Sequence, residues 1–160
     1  MHPHQLLIER FYTSFQRLDW KGMNACYHED AFFYDPAFGN LNAAQVKAMW
    51  EMLCRNAVDL RITFSDIKAD DEYGSCNWQA NYIFTVTGRP VVNHIKAHFQ
   101  FHEGKIVEHM DHFNIWKWSR QALGMPGLLL GWSSIVRNKV HKMARTRLEK
   151  FMQDNKVINS

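Results

Sequence analysis

Apolar residues along this chain change spacing twice. They recur every three or four positions at the start, every second position through the middle, and at helical spacing again towards the end. Leu7, Phe11, Phe15 and Leu18 form one helical stripe, and Pro3 is tolerated in a first turn, so the spacing predicts a helix over 4–18. Asp19 suits the N-cap of a second short helix carrying Trp20, Met23 and Tyr27 on one side. Asn42, with Gln45 three residues on, has the pattern of a capping box. It opens a third helix whose Val46, Met49, Trp50 and Leu53 face inward.

The period then falls to two. Leu60, Ile62 and Phe64 alternate with Arg61, Thr63 and Ser65. After the turn "ADDEYG", Trp78, Ala80, Tyr82, Phe84 and Val86 alternate with polar residues, and after "TGRP" so do Ile95, Ala97, Phe99 and Phe101. A hairpin at "HEGK" leads to a last strand over 106–116. Long alternating strands on short turns predict one antiparallel sheet with an apolar face covered by helices, an α+β class. Beyond Trp118, Pro126 with Gly124, Gly127 and Gly131 interrupts the pattern. "SSIVRNKVHKMARTRLEKFM" then reads as a basic amphipathic helix with Ile135, Val136, Val140, Met143, Leu148 and Phe151 as its apolar members. The organisation expected is a domain over 1–118 and a helical extension over 119–160.

At 160 residues, 46% hydrophobic and 14% aromatic, the chain can bury a substantial core. The net charge of +3 is uneven: eight Lys/Arg from Arg120 onward face only Glu149 and Asp154, a net of +6, which leaves −3 for the rest. Basic residues confined to a tail, away from exposed stacking aromatics, argue against nucleic acid as a partner. No apolar run reaches the ~18–20 residues of a membrane span, and "MHPHQLLIERFYTSF" lacks the pattern of a secretory signal. Cys26, Cys54 and Cys76 are unpaired in spacing, which fits a reducing, cytoplasmic setting rather than a zinc set.

Candidate chemistry comes from polar residues on the apolar face. In the last strand, the side shared by Val107 and Phe113 also carries His109 and Asp111. A buried carboxylate needs hydrogen bonds, a cation or a shifted pKa, and such a shift is how a general base is tuned towards neutrality. His109 and Asp111 also have a purely structural reading, in which they satisfy each other, and a single bulge would turn both to solvent. Asp35 stands where an apolar run, "AFFYD", meets Pro36, the position of a strand end at a cavity mouth. Tyr12 is the nearby phenol at comparable depth. Phe11, Trp50, Trp78, Tyr82, Phe99 and Phe113 are core residues that would also wall a pocket. His94, His98 and His102 lie in line on the polar face of one strand, so they cannot converge on one ion, and no metal site is expected.

With "CYHEDAFFYDPAFGNLNAAQVKAMW" early and "HFQFHEGKIVEHMDHFNIW" late, residues 5–118 resemble the nuclear transport factor 2-like superfamily, and within it the SnoaL-like branch related to polyketide cyclases and ketosteroid isomerases. The resemblance implies a cone, a strongly curved sheet wrapped around N-terminal helices with a cavity open at one end, and a homodimer. In ketosteroid isomerases the base sits in a similar Asp-Pro corner, which matches Asp35. Their oxyanion tyrosine counts to Phe11, with Tyr12 beside it, and their second acid to Ala97, so their oxyanion hole is not reproduced. SnoaL-type cyclases place an acidic base on the last strand, which matches Asp111, with histidine support matching His109. Limonene-epoxide-hydrolase relatives need an Asp-Arg-Asp set, and no inward arginine completes it, since Arg89 falls in a turn.

Together these point to an enzyme without cofactor that uses Asp35 or Asp111 as base, with His109 or Tyr12 stabilising an enolate, on a hydrophobic carbonyl-containing small molecule. The alternatives are a non-catalytic module for a small molecule or lipid, and a dimeric interaction scaffold. The tail is expected to pack on the domain or on a dimer partner rather than on a membrane.

Overall fold

The computed structural model describes residues 1–124 and 134–158. The segment with Leu128, Leu129, Leu130 and Trp132 lies outside the described residues. Helix α1 (Pro3–Gln16) starts on a capping box in which the His2 ring accepts the backbone N–H of His4 and the Gln5 side chain accepts the backbone N–H of His2. Its stripe of Ile8, Phe11, Tyr12 and Phe15 is buried. Asp19 caps the short α2 (Trp20–Asn24), and Asn42 with Gln45 forms the capping box of α3 (Ala43–Arg55), a cap worth about 1 kcal/mol.

Six strands follow the order β2-β1-β6-β5-β4-β3, where β1 is Tyr27–Asp35, β2 Gly39–Leu41, β3 Arg61–Ala69, β4 Tyr73–Phe84, β5 Arg89–His102 and β6 Lys105–His112. Three expectations change. Two strands intervene between α2 and α3: the first ends at Asp35, as the proline corner implied, but it opens at Tyr27, which the spacing had placed on α2. The sheet is not wholly antiparallel, because β1 pairs with β6 in parallel after the chain has passed through α3 and the β3–β4–β5 meander. Alternation reports which face a side chain takes and is blind to strand direction. The last strand stops at His112, because the Asn114 side chain caps a helix, α4 (Ile115–Leu123), that takes Trp116 out of the sheet.

Helices α1 and α3 cover the inner face of the sheet, where Ile62, Trp78, Ile95, Ala97 and Phe99 meet Phe11, Met49 and Trp50 in one core. The last helix, α5 (Ser134–Ile158), packs along its stripe of Val136, Val140, Leu148 and Phe151. Ile135, expected on that stripe, is instead exposed. Two side chains of α5 fasten the β1–β2 corner: His141 Nδ1 meets the Ala37 carbonyl at 3.1 Å, and Arg145 donates to the Asn40 carbonyl at 2.8 Å. Between them Gly39 has φ +69°, and a Cβ there would come within 2.7 Å of the His141 ring, so glycine serves both the turn and the helix contact. Among the described residues, no helix is long and apolar enough to cross a membrane.

Candidate active site

One residue decides what β6 presents inward. Phe101 pairs with Ile106, but Gln100 pairs with Glu108, so Val107 is the extra residue of a β-bulge. Ile106 faces the core, and after the bulge the inward positions are His109 and Asp111 rather than Glu108 and Met110. The sequence reading reached the same two inward residues with Val107 as their apolar guide. In the fold that guide is Ile106, and Val107 is only half-buried.

His109 is fully buried within a cage of Phe11, Tyr27, Phe33, Trp50 and Phe99 rings. Its hydrogen bonds define a directed chain. Trp50 Nε1–H, which can only donate, points to Tyr27 Oη at 2.8 Å. Among the described residues the other partner of this hydroxyl is His109 Nδ1, at 2.7 Å, so its proton has an acceptor in the tautomer that leaves Nδ1 bare. Burial pushes this phenol well above its usual 10, which keeps it a neutral donor. With Nδ1 accepting, the imidazole carries its proton on Nε2 and donates it to Asp111 Oδ1 at 3.0 Å. The same oxygen accepts Trp78 Nε1–H at 3.3 Å. Two N–H donors on one oxygen suit an ionised Asp111 and leave Oδ2 without a partner among the described residues. His109 bridges Tyr27 and Asp111, and it makes no hydrogen bond with Asp35 among the described residues. Tyr27 went unrecognised in the sequence because its helical neighbours masked the start of a strand; the Tyr27, Ala31, Phe33, Asp35 alternation around one irregularity was the available signal.

Asp35 ends β1. Its Oδ1 accepts the backbone N–H groups of Ala37 at 2.9 Å and Phe38 at 2.6 Å, which fixes the turn before β2. The residue is 9% exposed. Burial raises its carboxyl from 3.8 to about 7, with the charge of Asp111 pushing the same way and the two N–H bonds opposing. Turn chemistry and a tuned carboxyl therefore coexist on one side chain.

Asp35 and Asp111 both line a cavity of about 190 Å³. Its walls come from Met49, Trp50 and Leu53 on α3, Trp78, Ala80 and Tyr82 on β4, Phe113, and Trp118 on α4. Val140, Met143, Ala144 and Arg147 of α5 complete it. Of the residues expected to wall a pocket, Trp50, Trp78, Tyr82 and Phe113 do so. Phe11 and Phe99 pack behind the wall around His109, and neither His109 nor Tyr12 is among the lining residues. They are displaced because the helix that carries Phe11 and Tyr12 presses directly on the sheet, which leaves the open space towards α3 and α5. The Tyr12 hydroxyl is buried with no hydrogen-bond partner among the described residues. Burial lifts it well above its usual 10, and Asp111 adds to the effect. Tyr82 differs: its oxygen accepts Trp118 Nε1–H at 2.6 Å, which leaves its own O–H free to donate. Burial raises Tyr82, the Trp118 bond opposes this, and the charge of Asp35 adds to it, so Asp35 and Tyr82 are electrostatic neighbours.

His94, His98 and His102 are exposed on the outer face, as the alternation predicts. Among the described residues one trio has the geometry to hold a metal ion, His28, His102 and Glu103, with ligand atoms within 4.8 Å of one another. It lies apart from the cavity, and its groups already pair, His28 Nε2 and His102 Nε2 standing 3.5 and 3.4 Å from the Glu103 carboxylate.

The SnoaL-like domain model matches residues 8–109. The chain belongs to the SnoaL-like family. Solved structures with the same fold include a candidate polyketide cyclase from Xanthomonas campestris pv. campestris, at 21% identity and TM-score 0.60 over 72% of this chain and 93% of that one. A protein with a ketosteroid isomerase-like fold from Catenulispora acidiphila, in complex with trimethylamine, matches at 10% identity and TM-score 0.65 over 76% and 94%. An M. tuberculosis epoxide hydrolase resembling limonene epoxide hydrolase matches at 17% identity and TM-score 0.62 over 84% and 95%. No curated protein is significantly similar to the chain. The SnoaL-like match ends at His109, so Asp111, α4 and α5 lie beyond it.

Proposed function

We propose that this SnoaL-like protein is an acid/base enzyme of the isomerase, cyclase or related lyase type, working without a cofactor on a hydrophobic carbonyl-containing small molecule. One observation carries the reading: two carboxyls, Asp35 and Asp111, line the same largely apolar cavity, and one of them is lifted to about 7. The names of relatives, a candidate polyketide cyclase and an epoxide hydrolase, support small hydrophobic substrates. A volume of about 190 Å³ exceeds the ~150 Å³ of a cavity that takes up benzene, so it suits a body of about one or two rings.

Asp111, held by His109 and Trp78, is the base. Its free Oδ2 takes a proton from the carbon next to the substrate carbonyl, and the C–H electron pair moves into the enolate. Neutral Asp35 and the Tyr82 hydroxyl donate to the developing oxyanion, a pairing of phenol and uncharged carboxyl that stabilises enolates. Return of the proton to another carbon isomerises the substrate, and attack of the enolate on a second carbonyl closes a ring. His109, Tyr27 and Trp50 are positioning residues that fix the orientation of Asp111.

The test is deuterium exchange into the acidic positions of 2-tetralone, an enolisable two-ring ketone, followed by NMR. The wild-type protein accelerates exchange, and Asp111→Asn lowers the enzymatic rate by about 10²–10⁴-fold. Because the mechanism uses protonated Asp35, the enzymatic rate falls as pH rises through about 7. Equal rates for Asp111→Asn and wild type, or a rate that climbs through that pH, overturn the assignment.

A further inference from the structure

Helix α5 brings one cation to a cavity that, among the described residues, is otherwise lined by acids and neutral groups. Arg147 is the sole Lys or Arg lining it among the described residues. It shares the inner stripe of α5 with Val140, Met143 and Ala144, at spacings of three and four residues. The other basic residues of that helix are otherwise engaged or solvated. His141 and Arg145 hold the carbonyls of Ala37 and Asn40, whereas Arg137, Lys139, Lys142, Lys150 and Lys156 are exposed. Arg147 is half-buried, and it makes no hydrogen bond or ion pair with any described residue, including the cavity carboxyls Asp35 and Asp111.

A guanidinium drawn into an apolar wall loses hydration, and an opposing oxyanion restores it through paired N–H donors. The polar groups at the β1–β2 corner and β6 are suited to a carbonyl rather than to an anion, because both of the side chains they offer, Asp35 and Asp111, are carboxyls. Arg147 supplies the missing complement on the helix side. We propose that the ligand of this cavity is amphiphilic, an apolar ring body bearing a carboxylate or similar anionic group, and that Arg147 binds that group. This rests on the reading of the cavity as a substrate site and adds the substrate class. It also gives the C-terminal helix, which lies beyond the SnoaL-like match, a part in selecting the substrate.

The experiment compares two probes of equal shape, 4-phenylbutyrate and 4-phenylbutyramide, titrated against the full-length protein by quenching of tryptophan emission. Trp50, Trp78 and Trp118 line the cavity and report on occupancy. At about pH 6 the acid probe is ionised and Asp35 is mostly protonated. The expected result is tighter binding of the anion than of the amide by wild type. Arg147→Gln then weakens the anion by about tenfold or more, as for loss of a charge-assisted bond, and leaves the amide within about twofold. Arg147→Lys retains most of the preference, and added salt weakens only the anion, and only where the charge is present. Equal losses for both probes, or no loss for either, mean that the Arg147 side chain merely covers apolar surface and overturn the inference while leaving the acid/base reading standing. Failure of both probes to bind the wild-type protein overturns the cavity reading, and the Arg147 inference with it.

Discussion

Replacing Asp35 by Asn is expected to stabilise the protein, and by an amount that depends on pH. Asp35 titrates at about 7 in the fold against 3.8 for an unperturbed carboxyl, chiefly because burial disfavours its charged form. Below the lower value both folded and unfolded chains hold the proton, and the side chain contributes no pH dependence. As pH rises between the two values, the unfolded chain releases its proton while the folded chain keeps it, so folding loses stability. Above about 7 both are ionised and the loss is complete. At about 1.4 kcal/mol for each tenfold change in proton affinity, the gap amounts to about 4 kcal/mol. Asp35→Asn removes the titration and keeps an Oδ1 to accept the N–H groups of Ala37 and Phe38. Parallel urea unfolding of both proteins across a pH series measures the effect. The variant and wild type should be nearly equal at about pH 4, and the variant should lead by up to about 4 kcal/mol at about pH 8. A difference that stays flat with pH, or one in which the wild type gains as pH rises, refutes the burial argument. The expected gain would show that this acid is kept at a cost to stability, as functional carboxyls often are.

Two further substitutions probe the buried hydroxyls. Tyr27→Phe leaves both Trp50 Nε1–H and His109 Nδ1 unpaired in the core, so urea unfolding should show a loss of about 2–4 kcal/mol, and a loss under about 1 would mean that the chain of bonds does not operate as drawn. Tyr12→Phe removes a buried hydroxyl that has no partner among the described residues, so thermal unfolding should show no loss and a gain of up to about 1–2 kcal/mol, whereas clear destabilisation would reveal a partner for that oxygen.

The helical stripe of α1, the capping boxes and the alternation of β4 and β5 were legible because each is a local periodic signal, and burial follows the same period in the fold. Asp35 was legible as a corner because proline and a preceding apolar run are local too. His109 and Asp111 were found on the inner face, yet their phase depends on the bulge at Val107, which no spacing announces. The site roles of Tyr27 and Arg147 were out of reach for a related reason. Tyr27 acts through a residue 82 positions away, and Arg147 reaches the cavity only because α5 folds back across the β1–β2 corner. By itself, then, the sequence determined most of the helices and strands and most of their apolar faces, because these follow from neighbours a few positions apart. The tertiary structure alone decided that β1 lies parallel beside β6, that His109 turns to Tyr27 and Asp111, and that two carboxyls and a guanidinium line one hollow. Those outcomes depend on long-range packing and on the desolvation it imposes, and neither is encoded in the period of a chain.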